Sequence, residues 1–206
     1  MDNPSRSERT RKAALEAARK IIARDGPARL TLDSIAKEAG ISKGGLMHQF
    51  PSKHAVLKAL IERHAEYFED FSRRYLEQAK ATSAQPELST AIATLREAAL
   101  QPQSFAVAFL SAVAEEPSLL SITRDRDEKR IAAIKAEATD PEVALLRRSA
   151  AQGLALGNIF GLSTMSAEDQ AKLFERLLDD AYWAPLEKPL KPSPARKKAG
   201  GKTGKR

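Results

Sequence analysis

Apolar residues recur along this chain at intervals of three and four, the spacing of helices that each bury one face. Between Arg6 and Asp25 the stripe is Ala14, Leu15, Ala18, Ile21 and Ile22, and Gly26-Pro27 stops it. Leu32, Ile35, Ala36 and Ala39 make a second, shorter face. Thr31 precedes it as a capping residue, and Asp33 suits the positive first turn. Gly40 can take the positive φ that closes this helix, with Ile41 tucked beneath the turn. Ser42 then caps a third helix whose Leu46 and Phe50 face inward. From Lys53 to about Lys80, the residues Val56, Leu57, Leu60, Ile61, His64, Phe68, Phe71 and Tyr75 define one long helix. Pro86, Pro102, Pro117 and Pro141 punctuate the remainder of the chain, predicting helices near 88–99 and 103–114, one carrying Leu119, Leu120, Ile122, Ile131 and Ile134, and one over 142–160. Ser166 caps a last helix bearing Leu173, Phe174, Leu177, Leu178 and Trp183. No stretch alternates with period two, and no repeat stands out. The fold class is all-α.

Two short helices broken at a glycine, TLDSIAKEAGISKGGLMHQF over residues 31–50, are the layout of a helix-turn-helix that presents its second helix to DNA. An ordinary helical hairpin has the same outline, but the turn chemistry favours the DNA reader. Lys43, Gly44, Gly45, His48 and Gln49 face away from the core, where a groove would lie. Lysine suits guanine acceptors and glutamine pairs with adenine, so Lys43, His48 and Gln49 are the candidates for base edges, His48 equally for phosphate. Thr31 and Ser42 stand at helix starts whose free N–H groups take a phosphate, and Lys53 adds a charged contact. Gly44 and Gly45 each cost a helix about 1 kcal/mol relative to alanine, and they permit close backbone approach.

Charge is unevenly placed along the 206 residues. Residues 1–53 hold 11 Lys+Arg against 6 Asp+Glu, residues 54–186 hold 15 against 20, and residues 187–206 hold 8 against 1. The ends are thus basic and the middle acidic, as suits a surface that approaches phosphates. Cysteine is absent, which excludes disulfides, thiolate metal sites and a cysteine nucleophile. No nucleophile–base set or metal-ligand spacing points to an enzyme, and no cofactor or metal is expected. The first residues lack the apolar core of a signal peptide, and no apolar run is long enough to span a membrane. A cytoplasmic protein is expected.

The tail, 187–206 (EKPLKPSPARKKAGGKTGKR), has almost nothing apolar to bury and cannot fold alone. Its Gly201-Lys202-Thr203 is no phosphate loop, because Arg196 stands where that pattern needs glycine and no strand precedes it. A solvated solubility tail and an arm tracking phosphates both fit. Ser149–Leu162 (SAAQGLALGNIFGL) is rich in small residues and nearly uncharged, so it requires cover. The domain's own core and a second copy of the chain serve equally well on chemistry alone. Gln152 and Asn158 within it set register or are satisfied locally.

A first helix, a tight two-helix motif, then Phe50-Pro51-Ser52-Lys53 and a long connecting helix together resemble the TetR family of bacterial transcriptional regulators. The resemblance is specific over residues 6–66, where RDGPARLTLDSIAKEAGISKGGLMHQFPSKHAVLKAL follows the family pattern. Beyond residue 70 only length and helical layout match. Gly45, Met47 and Gln49 depart from the threonine and two aromatics usual there, so the customary base contacts do not carry over. The resemblance implies a three-helix DNA-binding domain over 1–52, with Thr31, Ser42, Lys43, Gly44, Gly45, Met47, His48, Gln49 and Lys53 at the DNA. It implies an effector-binding and dimerisation domain over 53–186, followed by the basic tail. Pairing through the last two long helices would use Ala150, Gly153, Leu154, Gly157 and Leu177. A small-molecule effector would meet Phe68, Phe71, Phe105 and Phe109, with Tyr75 and Trp183 as further aromatic candidates. The function so implied is a homodimeric repressor on a palindromic operator. The alternative is a helical adaptor that uses the motif against another protein.

Overall fold

The structure, a computed structural model, describes residues 6–101, 109, 110, 113, 117 and 120–188, with the side chains of Ile122 and Thr123 left out. All regular structure among them is helical. In chain order the helices are α1 (Arg6–Asp25), α2 (Leu32–Ala39), α3 (Lys43–Gln49), α4 (Lys53–Thr82), α5 (Pro86–Ala99), α6 (Leu120–Glu137), α7 (Pro141–Ile159), α8 (Ala167–Leu178) and the single turn α9 (Asp180–Trp183). Most of the expected helix near 103–114, including Phe105, and residues 189–206 of the tail lie outside the described residues. No described helix is long and apolar enough to cross a membrane.

Two cores form, and α4 joins them. The first gathers Ala14, Leu15, Ala18, Ile21 and Ile22 of α1, Ile35 of α2, Leu46 and Phe50 beside α3, and Val56, Leu57 and Ile61 of α4. The predicted stripes supply it almost residue for residue. Turn chemistry then fixes the angles between helices. Thr31 Oγ1 accepts from Ser34 N–H at 3.0 Å while Ser34 Oγ accepts from Thr31 N–H at 2.9 Å, a reciprocal cap. Gly40 closes α2 at φ 65°, a conformation that penalises any side chain bearing a Cβ. Ser42 caps α3 and Ser52 caps α4, each accepting a backbone N–H at 3.1 Å.

The second core lies among α5, α6, α7 and α8, around Leu88, Ile92, Ile134, Ala144, Ala151, Phe174 and Leu177. Its polar content is high. Arg147 is fully buried and Arg148 nearly so, together with Ser72, Gln85, Ser89, Thr90, Thr94 and Gln170. Arg147 donates to the carbonyl of Leu177 through Nε (3.1 Å) and Nη2 (2.8 Å), and Nη2 also reaches Asp180 Oδ1 at 2.8 Å. Its Nη1 has no hydrogen bond, and its 3.8 Å approach to Glu187 is ionic only. The Trp183 ring lies 5.6 Å from the guanidinium carbon. Burial pushes the Asp180 carboxyl up, but hydrogen bonds from Ser83 and Arg147 outweigh it and hold the group below the usual carboxylate range.

Two readings of the sequence need correction here, and one stretch of charge divides between surface and interior. The last helix does not run from Ser166 through Trp183. It ends at Leu178, because Asp179 turns outward and its side chain accepts from Tyr182 N–H to start α9. That break swings Asp180 inward to Arg147. Leu173, expected in the core, is 41% exposed, since α8 buries Phe174 and Leu177 instead. The charged run 124–130 is exposed except at Asp127 and Arg130, which turn inward to pair with Arg148 and to donate to Ser72 Oγ at 3.0 Å.

Candidate nucleic-acid interface

The outward face of the first domain is built by caps. Because Thr31 and Ser42 satisfy the starts of α2 and α3 with their own side chains, the two helices are held in shape before any partner arrives. Leu46 and Phe50 anchor α3 from below, both buried. Arg11 of α1 lies over the Phe50 ring at 4.8 Å, so it packs against the domain. The side opposite is left to Lys43, Gly44, Met47 and His48, all exposed, with Gly45 and Gln49 half-buried. Lys53 opens α4 beside them.

These residues come together as one surface, and two of them already hold partners within the chain. Lys43 Nζ pairs with Asp33 at 2.8 Å across the turn, both side chains being well exposed. Gln49 Nε2 donates to Ser7 Oγ at 2.8 Å, tying the end of α3 to the start of α1. His48 Nδ1 lies 3.5 Å from the same amide. Sequence reasoning missed both links. The Asp33–Lys43 spacing crosses a helix break, and Ser7 is 42 residues from Gln49.

The glycines are informative through what surrounds them. A Cβ added at Gly44 would meet nothing within 4 Å, and one at Gly45 would crowd only the Ser42 hydroxyl at 3.1 Å. Neither has positive φ. The protein's own packing therefore does not require glycine at 44, although glycine weakens the helix there. Next to this face, Asp25, Ala28, Arg29, Thr31 and Ser34 line a shallow depression of about 650 Å³. Arg29 brings an exposed cation to its rim. The sequence signal for it was a basic residue two positions before a helix cap.

The second domain carries the other candidate residues. Ala150, Gly153, Leu154, Gly157 and Leu177 all line one open groove of about 570 Å³ between α7 and α8. A Cβ on Gly153 would meet nothing within 4 Å, so that glycine serves no packing inside the subunit. Leu146, Leu156, Leu162 and Leu173 stand exposed on the same two helices and their connection. Phe68 meets His64 edge-on at 4.7 Å, and Phe71 stacks on Tyr75 at 6.0 Å, all on α4. Burial pushes the His64 imidazole down to about 4, so it is neutral at ordinary pH. Phe109 packs against the first core. Trp183 belongs to the α7–α8 groove and donates through Nε1 to the Arg176 carbonyl at 2.8 Å.

Known proteins agree with this anatomy. No protein of curated function matches the chain by sequence. Residues 14–60 match the family model described as bacterial regulatory proteins, tetR family. Residues 69–182 match the model of the tetracyclin repressor-like C-terminal domain. Among solved structures, a TetR-family transcriptional regulator from Mesorhizobium loti is similar with a TM-score of 0.64 at 15% identity, over 88% of this chain and 98% of that one. The multidrug binding protein EbrR, solved with malachite green, gives 0.61 at 19% identity, over 84% and 98%. The fatty acid degradation regulator FadR from Bacillus halodurans gives 0.58 at 16%, over 86% and 97%. Those likenesses concern the fold. With the two family models meeting the two domains in order, this chain belongs to the TetR family of DNA-binding transcriptional regulators.

Proposed function

We propose that the protein is a repressor that grips a palindromic operator as a homodimer and releases it when a small molecule occupies the second domain. The observation that carries the DNA half is Gly44. A position that costs helix stability and is not needed by the fold suits a backbone pressed against a duplex. Thr31, Ser42 and Lys53 serve as phosphate contacts, with Arg29 beside them. Lys43, Met47, His48 and Gln49 face the bases. One motif covers few base pairs, so two related by a two-fold axis read half-sites one helical turn apart, about 34–36 Å, or a multiple of that.

The open groove between α7 and α8 supports the dimer. It is apolar, it is floored by glycines that admit a close neighbour, and exposed leucines flank it. Leu173→Glu should produce monomers by sedimentation while leaving the helical content intact. The effector half rests on analogy: EbrR holds malachite green in a similar fold. Phe68 and Phe71, with Phe105 outside the described residues, stay the proposed contacts. Phe109 fits better as a link between the domains, because it leans on the first core. Coupling of about 1–3 kcal/mol between the two sites gives a useful response.

The deciding experiment is footprinting on the chain's own upstream DNA, followed by a compound screen for release. A protected palindrome supports the reading. A protein that protects no fragment at low salt, yet captures another protein through α3, is an adaptor instead.

A further inference from the structure

The second domain draws more cation inward than it pairs. Arg147 has Asp180 and Glu187 close at hand, but α6 and α7 bring two further arginines in from the surface. Arg148 pairs with Asp127 and donates through Nη1 to Gln152 Oε1 at 3.2 Å, one turn along α7. Its Nε is buried without a hydrogen-bond partner among the described residues. Arg130 follows Asp127 by one turn on α6 and is half-buried. It forms no ion pair among the described residues, and its guanidinium donates instead to a neutral hydroxyl, Ser72 Oγ, at 3.0 Å.

The hydroxyls beyond it form an oriented row. Thr94 Oγ1 donates to the Thr90 carbonyl at 2.7 Å, so across its 2.9 Å contact with Ser72 it must accept. Donors thus run away from Arg130, and the row positions the guanidinium without neutralising it. Thr90 Oγ1, buried at the far end, has no hydrogen-bond partner among the described residues. Electrostatics agree with the shortfall. A side-chain hydrogen bond from Arg19 to Glu16 pushes that arginine up. Arg130 is pushed down, because burial outweighs the attraction of Glu69, Asp127 and Glu87, while Arg148 adds repulsion. Glu69 is exposed, Glu87 is half-buried, and Asp127 is already committed to Arg148. A cation so placed is costly unless an anion joins it.

An apolar strip leads to this cation. His64 and Phe68 precede Ser72 on α4 at intervals of four, so the three share a face. The His64 ring is kept neutral by burial and meets Phe68 edge-on at 4.7 Å.

We propose that the second domain takes an organic carboxylate with an apolar body, its carboxylate on Arg130 and its body along Phe68 toward His64. This names the chemical class of the effector and rests on the reading that the domain holds one. A guanidinium offers paired N–H groups that match the two oxygens of a carboxylate. Thr90 Oγ1 and Arg148 Nε, in the same network, supply further donors from α5 and α7. A cationic ligand meets repulsion from two arginines instead.

Titration calorimetry on the full chain reads this without DNA. Octanoate and benzoate are each compared with the corresponding primary amide, and malachite green serves as the cation. At least one acid should bind about tenfold more tightly than its amide, and the better of the two tells straight chain from ring. Arg130→Gln, its helical content checked by circular dichroism, should abolish that preference. Thr90→Val keeps the shape and removes a hydroxyl that bonds nothing in the free protein. Its melting temperature should stay level or rise while acid binding weakens severalfold, whereas a merely structural network leaves acid binding unchanged and overturns the proposal. Should Arg130→Gln fail to fold, Thr90→Val decides alone. Equal binding of acid and amide, a preference that survives Arg130→Gln, or binding of malachite green alone overturns the carboxylate assignment and leaves the effector reading standing. If no probe binds, the assignment falls and the effector reading loses its support. An acid that binds through Arg130 without releasing the operator upholds the site and refutes only its coupling to DNA.

Discussion

The two cores of this protein are held by different chemistry. Every buried polar or charged side chain among the described residues lies in or beyond the second half of α4, and none lies in the first domain. The first core is alanine, leucine, isoleucine, valine and phenylalanine, with polarity confined to caps at the surface. The second is wrapped around Arg147 and Arg148. An apolar core tolerates small shifts at modest cost, whereas a buried guanidinium demands its partners in place. The first domain thus has an apolar core of its own. The second is stable in one arrangement of α7, α8 and α9, and any event that moves Asp180 or Leu177 is felt at its centre.

Removing Arg147 tests this contrast hardest. Arg147→Ala leaves Asp180 and Glu187 without their buried cation and should cost about 3–5 kcal/mol. Trp183 is the only tryptophan and sits beside Arg147, so its fluorescence reports the second domain, while circular dichroism reports all helices. The fluorescence transition should move to lower denaturant ahead of the dichroism. Coincident transitions would make the two cores one cooperative unit. The reciprocal change, Phe50→Ala, should cost the first core a similar amount, about 3–5 kcal/mol, and abolish operator binding with the Trp183 signal intact.

A smaller effect separates the domains by pH. His64 titrates near 4 in the folded protein against an ordinary 6.5. The unfolded chain therefore binds the proton first as pH falls. Stability contributed by neutral His64 is full above 6.5 and is lost down to about 4. Allowing for its partial exposure, the loss is about 1–2 kcal/mol. Denaturant midpoints of His64→Phe should fall less between pH 7 and pH 4 than those of the parent. Smallest is Gly44→Ala, which should stabilise the first domain by about 1 kcal/mol or less. Its added methyl meets open space in the free protein, so weaker operator binding despite higher stability would place the duplex against that backbone. Stronger binding would mean that ordering the helix was the only cost.

Much of the first domain was legible in the sequence because its determinants are local. Thr31, Gly40 and Ser42 act within a few residues of themselves, and the stripes of α1 to α4 are read at spacings of three and four. The second domain was legible as helices but not as an arrangement. Nothing nearby distinguishes Arg147 from an exposed arginine, for its partners lie 30 to 40 residues away. The same distance hid the break at Asp179. Asp127 and Arg130 sit in a run of charges whose neighbours are exposed, and only the packing of α6 on α4 and α7 turns these two inward. On α3 the outward-facing residues were legible, whereas the links of Lys43 to Asp33 and of Gln49 to Ser7 were not.

Those partners have a consequence for how finely an operator is discriminated. Lys43 and Gln49 each have somewhere to return, to Asp33 and to Ser7. Meeting a base is then an exchange of one hydrogen bond for another, and a mismatched base merely sends the side chain home. The usual penalty of about 1–3 kcal/mol per wrong base pair shrinks when the reader is never stranded. Under the proposed function such a regulator would tolerate degenerate half-sites, and Asp33→Ala or Ser7→Ala should narrow the set of sequences recovered by selection from random DNA.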